Sequence, residues 1–130
     1  MDQTIEDYDA IVSTLQAYGD GTARGDATTL AEAFHDDARM FGQVEGHRLD
    51  VPIAEFLALA EKWPADAEGT YAIRVLSVDQ AGDAAVALVA EEGVWGEVSF
   101  LDFFSLARYG DEWKIVCKTF THTGGTMPSE

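Results

Sequence analysis

The sequence predicts an α+β fold: a cone-shaped, curved antiparallel sheet wrapped around a long N-terminal helix, in the order α-α-β-β-α-β-β-β-β. Three observations carry this expectation. Apolar residues in the first third recur at helical spacing. The second half changes to β-branched and aromatic runs. Short turns containing Gly and Asp separate those runs. The chain has 130 residues, 47% of them apolar, which suits one hydrophobic core rather than two. We therefore read a single domain over 1–130, with its core over 4–123 and a loose polar tail over 124–130.

Each element has its own signal. Ile5, Tyr8, Ile11, Val12, Leu15 and Tyr18 form one helical stripe, with Thr4 as N-cap and Gly21 and Gly25 bracketing the end. Asp26 caps a short second helix with Ala27, Leu30, Ala31 and Phe34 on its apolar face, ending at Asp36 and Asp37. Residues 38–44 and 47–49 read as a strand pair joined at Glu45-Gly46. A third helix starts after Asp50 with Pro52 in its first turn, carries Ile53, Phe56, Leu57, Ala60 and Trp63 on one side, and stops at Pro64. Residues 70–78, 84–95, 98–108 and 112–122 are the remaining strands. Gln80–Asp83 and Tyr109–Asp111 are hairpin loops, and Gly96-Glu97 is a two-residue turn. Several strands are apolar on both faces. One face covers the helices, and a second copy of the chain is the expected cover for the other, which predicts a homodimer through the outer sheet face.

Charge narrows the function. Asp and Glu number 24 against 8 Lys and Arg, a net charge of −16. Nucleic acid and anionic membrane surfaces repel such a polyanion, so neither is an expected partner; solubility or a high-salt habitat accounts for the acidity. Cys117 is the single cysteine, which excludes an internal disulfide and fits a reducing cytoplasm. The acidic N-terminus is unlike a signal peptide, and no apolar run is long enough to span a membrane.

The stretch YGDGTARGDATTLAEAFHDDARMFG resembles the opening of the nuclear transport factor 2-like superfamily: a helix ending in Gly-Asp, a short helix ending in Phe, and an FHxDA segment leading into the first strand. SFLDFFSLARYGDEWKIVCKTFTH is similar to its last two strands. The likeness is greatest to the group called putative lumazine-binding proteins, beside the SnoaL-like polyketide cyclases. It covers residues 6 to 122 and implies the cone fold. For function it is broad, since the superfamily holds isomerases, dehydratases, cyclases, epoxide hydrolases and non-catalytic binders.

Asp102 lies in the aromatic run Phe100-Leu101-Asp102-Phe103-Phe104, where alternation places it with Phe100, Phe104 and Leu106. On a concave face it would project into an apolar cavity, and desolvation would keep it protonated; at a bulge or edge it would be satisfied by backbone N–H groups. Tyr18 is on the helical stripe, as a core tyrosine or as a ligand-facing one. The resemblance adds a pairing. In ketosteroid isomerases of this superfamily an oxyanion-binding tyrosine and a protonated aspartate fall at the positions of Tyr18 and Asp102, which implies an oxyanion hole here. The family's general base, in contrast, falls on Gly42, which cannot take a proton.

Asp20 resembles the pocket aspartate of scytalone dehydratase and several cyclases, although two residues along a helix turn it about 200° from Tyr18, toward solvent. A base in an enzyme would come from Asp20, Glu91 or His122. Strict alternation turns His122 away from Trp113 and Ile115, and a bulge would reverse that. His35 reads as scaffold and His47 as solvated, and none of the three histidines has metal-ligand spacing, so no metal and no other cofactor is expected. Phe34, Phe41, Phe56, Trp63, Trp95, Phe100 and Phe104 come from different elements and are the candidate walls of an aromatic pocket for a small hydrophobic molecule. Two functions follow: a binding protein for such a molecule, or a cofactor-independent isomerase, dehydratase or cyclase acting on a carbonyl compound through an enolate held by Tyr18 and Asp102.

Overall fold

The computed structural model describes residues 4–128. Helix α1 (Ile5–Arg24) opens at Thr4, whose hydroxyl accepts the Asp7 amide at 3.0 Å, and closes at Gly25 with φ of 69°, a left-handed cap that a side chain disfavours. Helix α2 (Ala27–Ala33) is capped by Asp26, which accepts from the Thr29 amide and hydroxyl. It ends before Asp36-Asp37. Phe34 is already extended there, because it pairs with Ile115 of the last strand. Strand β1 (Phe34–Val44) turns into β2 (His47–Pro52) at Glu45-Gly46, both at positive φ, the mirror-image turn that matches strand twist. Helix α3 (Ile53–Lys62) starts just after Pro52, which is its N-cap and not a first-turn residue.

Strands β3 (Ala72–Ala81), β4 (Ala84–Val94), β5 (Val98–Tyr109) and β6 (Glu112–Gly124) form the expected meander. The six-stranded sheet has the order β2-β1-β6-β5-β4-β3. Its pairings are antiparallel except β1 with β6, which is parallel: the chain leaves β2 through α3 and re-enters at the opposite edge, so β1 meets the last strand. The β4–β5 turn is three residues, Trp95-Gly96-Glu97, one longer than its sequence suggests. Trp95 sits at φ of 52°, a rare conformation for an aromatic residue. Two bonds hold it there, from its amide to the Ala65 carbonyl at 2.8 Å and from Nε1 to the Trp63 carbonyl at 2.9 Å.

The curved sheet closes over the α1 stripe, with Ile11, Leu15 and Tyr18 buried against Phe104, Leu106 and Ile115. β6 is irregular at one point that matters. Leu106 pairs with Ile115 and Ser105 with Cys117, so Val116 is a surplus residue on β6. Trp113 and Ile115 point inward ahead of this bulge; Lys118 and Phe120 point inward after it. Met127 packs on the cluster of Ala65, Val94 and Val98, while Ser129 and Glu130 lie outside the described residues. Among the described residues, no helix is long and apolar enough to cross a membrane.

Candidate functional site

The wide end of the cone holds an apolar cavity of about 80 Å³. Met40, Leu49, Phe56, Phe100 and Phe120 form its sides, and Trp63, Trp95 and Met127 are at the mouth. Its polar groups are Tyr18, Thr22, Glu91 and Lys118. Inward positions on three adjacent strands create this polar floor. Glu91 of β4 pairs with Phe100, and Asp102 of β5 is two residues further along the same face. Asp102 pairs with Phe120, and Lys118 of β6 is two residues back from it. The three ionisable side chains therefore run diagonally across the sheet, in reach of one another.

Glu91 is the hub. The Tyr18 hydroxyl donates to its Oε2 at 2.9 Å and the Tyr71 hydroxyl to its Oε1 at 2.7 Å. Burial pushes the Glu91 carboxyl up, but the Asp102 hydrogen bond, the Lys118 charge and the two phenols outweigh it and hold it below the usual carboxylate range. Asp102 is its opposite. It is fully buried, neither oxygen receives a hydrogen bond, and Nζ of Lys118 stands 3.7 Å from Oδ1, too far for one. Burial pushes this carboxyl well up; Lys118 opposes the shift and the adjacent Glu91 charge adds to it. The two shifts run in opposite directions, so Asp102 is the member of the pair that favours the neutral form and Glu91 the one that favours the charge. Both phenols are raised as well, by burial and then by the Glu91 charge, so they remain donors.

Lys118 is 6% exposed, and its Nζ lies 4.5 Å from the ring centre of Phe56, 5.1 Å from that of Phe120 and 5.6 Å from that of Tyr18. Three aromatic rings and the Asp102 carboxyl at 3.7 Å surround this ammonium.

The expected site residues separate cleanly. Tyr18 and Asp102 both meet Glu91, but they do not form a two-donor cradle open to the cavity. The Tyr18 hydroxyl is directed at Glu91, and Asp102 is behind the cavity wall. Asp20 is exposed and outside the lining, as its angle from Tyr18 on the helix requires. Phe56, Trp63, Trp95 and Phe100 line the cavity. Phe34 and Phe104 do not; they pack behind Tyr18, with ring centres at 5.9 and 4.9 Å. Phe41 is outside because its neighbour Met40 takes the inward position, and it lies beneath Arg39 instead.

Of the three candidate bases, Glu91 alone lines the cavity. His122 is turned back by the bulge to lie against the Phe100 ring, and its Nε2 faces the Gly124 and Gly125 carbonyls at 2.9 and 2.7 Å. Two carbonyl acceptors require an N–H there. At Gly42, a Cβ would come within 2.4 Å of the Phe120 ring, so a side chain there would have to displace that ring. Among the described residues, no group of three His, Cys, Asp or Glu side chains is placed to share a metal ion.

Comparison with known proteins gives consistent relatives. The family described as putative lumazine-binding matches residues 6–121. Aldolase FrzH from Cladobotryum sp is 23% identical over 117 residues, covering 90% of this chain and 92% of that protein. A nuclear transport factor 2-like protein from Shewanella baltica superposes with a TM-score of 0.85 at 25% identity, over 96% of this chain and all (100%) of the other. Another from Silicibacter pomeroyi gives 0.84 at 29% identity, over 94% and 100%.

Proposed function

The chain belongs to the putative lumazine-binding family of nuclear transport factor 2-like proteins, and from that premise we propose that it takes a small hydrophobic carbonyl compound into its cavity and moves a proton on the carbon beside the carbonyl. One observation carries the reading: a buried polar cluster at the floor of an otherwise apolar cavity, in which Tyr18 and Tyr71 donate to Glu91 and Lys118 pairs with Asp102 at 3.7 Å. A merely structural floor would be apolar, since burying these groups is costly. Glu91 is the proton acceptor in reach of a bound ligand. Lys118 presents a positive charge to an oxygen that becomes negative in the enolate, in a setting where water screens little. Asp102 is a positioning residue that returns a proton to Glu91. The aldolase name carried by the relative from Cladobotryum sp fits chemistry at an enolate, and is support of a general kind.

The outer sheet face supports the dimer expected from the sequence. Leu76, Val86 and Phe103 are 50, 52 and 58% exposed there, and a second copy of the chain is the proposed cover. Light scattering at working concentration checks it; a monomer removes it.

Two measurements test the site. Titration with 2-naphthol, followed by its fluorescence, is expected to saturate and to weaken in Lys118→Met. Exchange of the α-hydrogens of a small aryl ketone in D₂O, read by NMR, is expected to exceed the buffer rate and to be lost in Glu91→Gln. Saturable naphthol binding with no exchange would leave a binding protein and end the enzyme reading.

A further inference from the structure

We propose that Lys118 captures the ligand covalently, its amine forming a Schiff base with the carbonyl carbon. The inference deepens the reading above and rests on it. Three features of the lysine point to this role. Nζ lines the cavity, with its side chain only 7% exposed, so a bound carbonyl meets it with little water present to reverse the condensation. It donates no hydrogen bond to a carboxylate: Asp102 Oδ1 is 3.7 Å away, within ion-pair range but beyond hydrogen-bond length, and each Glu91 oxygen accepts from a tyrosine hydroxyl. Finally, Phe56, Phe120 and Tyr18 surround the amine and fix its direction, which a flexible four-carbon stem does not do alone.

The step balances on the groups present. The ammonium passes one proton to Glu91, and the free amine attacks the carbonyl carbon. The C–N bond forms as the C=O π pair moves to oxygen, which takes the proton back. The nitrogen then yields a second proton to that hydroxyl through Glu91, and the C–O bond breaks to release water. Of the three ammonium protons, two leave in the water and one stays on the iminium nitrogen. The positive charge is conserved, and no oxidant, metal or further reactant enters. The iminium is a stronger electron sink than the carbonyl, so the adjacent C–H becomes easier for Glu91 to ionise. The enolate of the simpler scheme becomes an enamine.

The chain has three lysines, Lys62, Lys114 and Lys118, and among the described residues Lys118 alone is buried. This makes a chemical test selective. The full chain is treated with 3-phenylpropanal and sodium cyanoborohydride, then analysed by intact mass and peptide mapping. The expected result is one alkyl adduct on Lys118, formed ahead of any on Lys62, Lys114 or the N-terminal amine, blocked by saturating 2-naphthol and absent from Lys118→Arg, which keeps the charge but cannot form the imine. Because the wild-type peptide map locates the adduct, a variant that folds poorly does not decide the matter. Labelling confined to Lys62, Lys114 and the N-terminus, with naphthol still binding, overturns covalent capture and leaves the binding reading intact. If naphthol fails to bind as well, the reading beneath it falls too.

Discussion

Two clusters of charge lie at different places in this fold, and they are built on opposite rules. In one, Arg108 donates to Asp7 and Asp83 at 2.8 Å, Gln80 donates to the other Asp7 oxygen at 2.9 Å, and the guanidinium lies 5.1 Å over Trp113. The Gln80 hydrogen bond, with the Arg108 charge after it, holds the Asp7 carboxyl below its usual range against some burial. Both acids have donors and water is close by. This clasp ties the start of α1 to the sheet and does nothing else that the geometry suggests. In the cavity floor, Asp102 has no hydrogen-bond donor, Lys118 meets a carboxyl only at 3.7 Å, and all three ionisable side chains are buried. A satisfied network at the surface is a fastening. An unsatisfied one in the interior persists against its cost to stability, and the cavity beside it supplies the reason.

That contrast can be broken or sharpened by substitution. The largest effect is expected from Glu91→Gln, which removes the base and the hub of both tyrosines: α-hydrogen exchange should fall by about 10²–10⁴-fold, as for loss of a general base. If exchange survives, the floor is not the reactive end. Gly42→Ala comes next. Its Cβ must displace the Phe120 ring, and overpacking of this kind costs roughly 1–3 kcal/mol, readable by urea denaturation.

Asp102→Asn should act in the opposite direction. Burial raises the Asp102 carboxyl on folding, so folding takes up a proton between its unfolded and folded values, and this contribution to stability is lost as pH rises through the folded value. The variant should melt a few degrees higher at neutral pH, with that part of the pH slope gone. Glu91, lowered in the folded chain, gives the reverse slope, lost as pH falls, and this should survive in Asp102→Asn, reduced by the missing acid donor. Arg108→Gln should have the smallest effect: a slight, salt-sensitive fall in melting temperature with exchange unchanged. A large loss of exchange there would erase the distinction between the two clusters.

Most of the fold is legible in the residues. The α1 stripe, the Asp26 cap and the meander follow from spacing and turn chemistry, which are local. What escaped was non-local. Nothing near Phe34 says that it pairs with Ile115, so α2 reads too long. Nothing in β1 announces a parallel neighbour. Within the site, Asp102 and Tyr18 stand out as polar residues on apolar faces, but their common partner Glu91 depends on the pairing of distant strands. Lys118 was hidden by parity: counted from Trp113 it belongs outside, and only the surplus Val116 returns it to the interior. Tyr71 gives no signal beyond being aromatic at the head of a strand.

The extra Val116 makes the identity of the floor a matter of register. Were Val116 taken into regular pairing instead of being left as the surplus residue, every later side chain of the strand would change faces, sending the amine and the Phe120 ring to the exterior and lining the hollow with Thr119 and Thr121 hydroxyls. The same letters would then spell a neutral lining in place of a cationic one, so this single bulge decides what charge a guest meets.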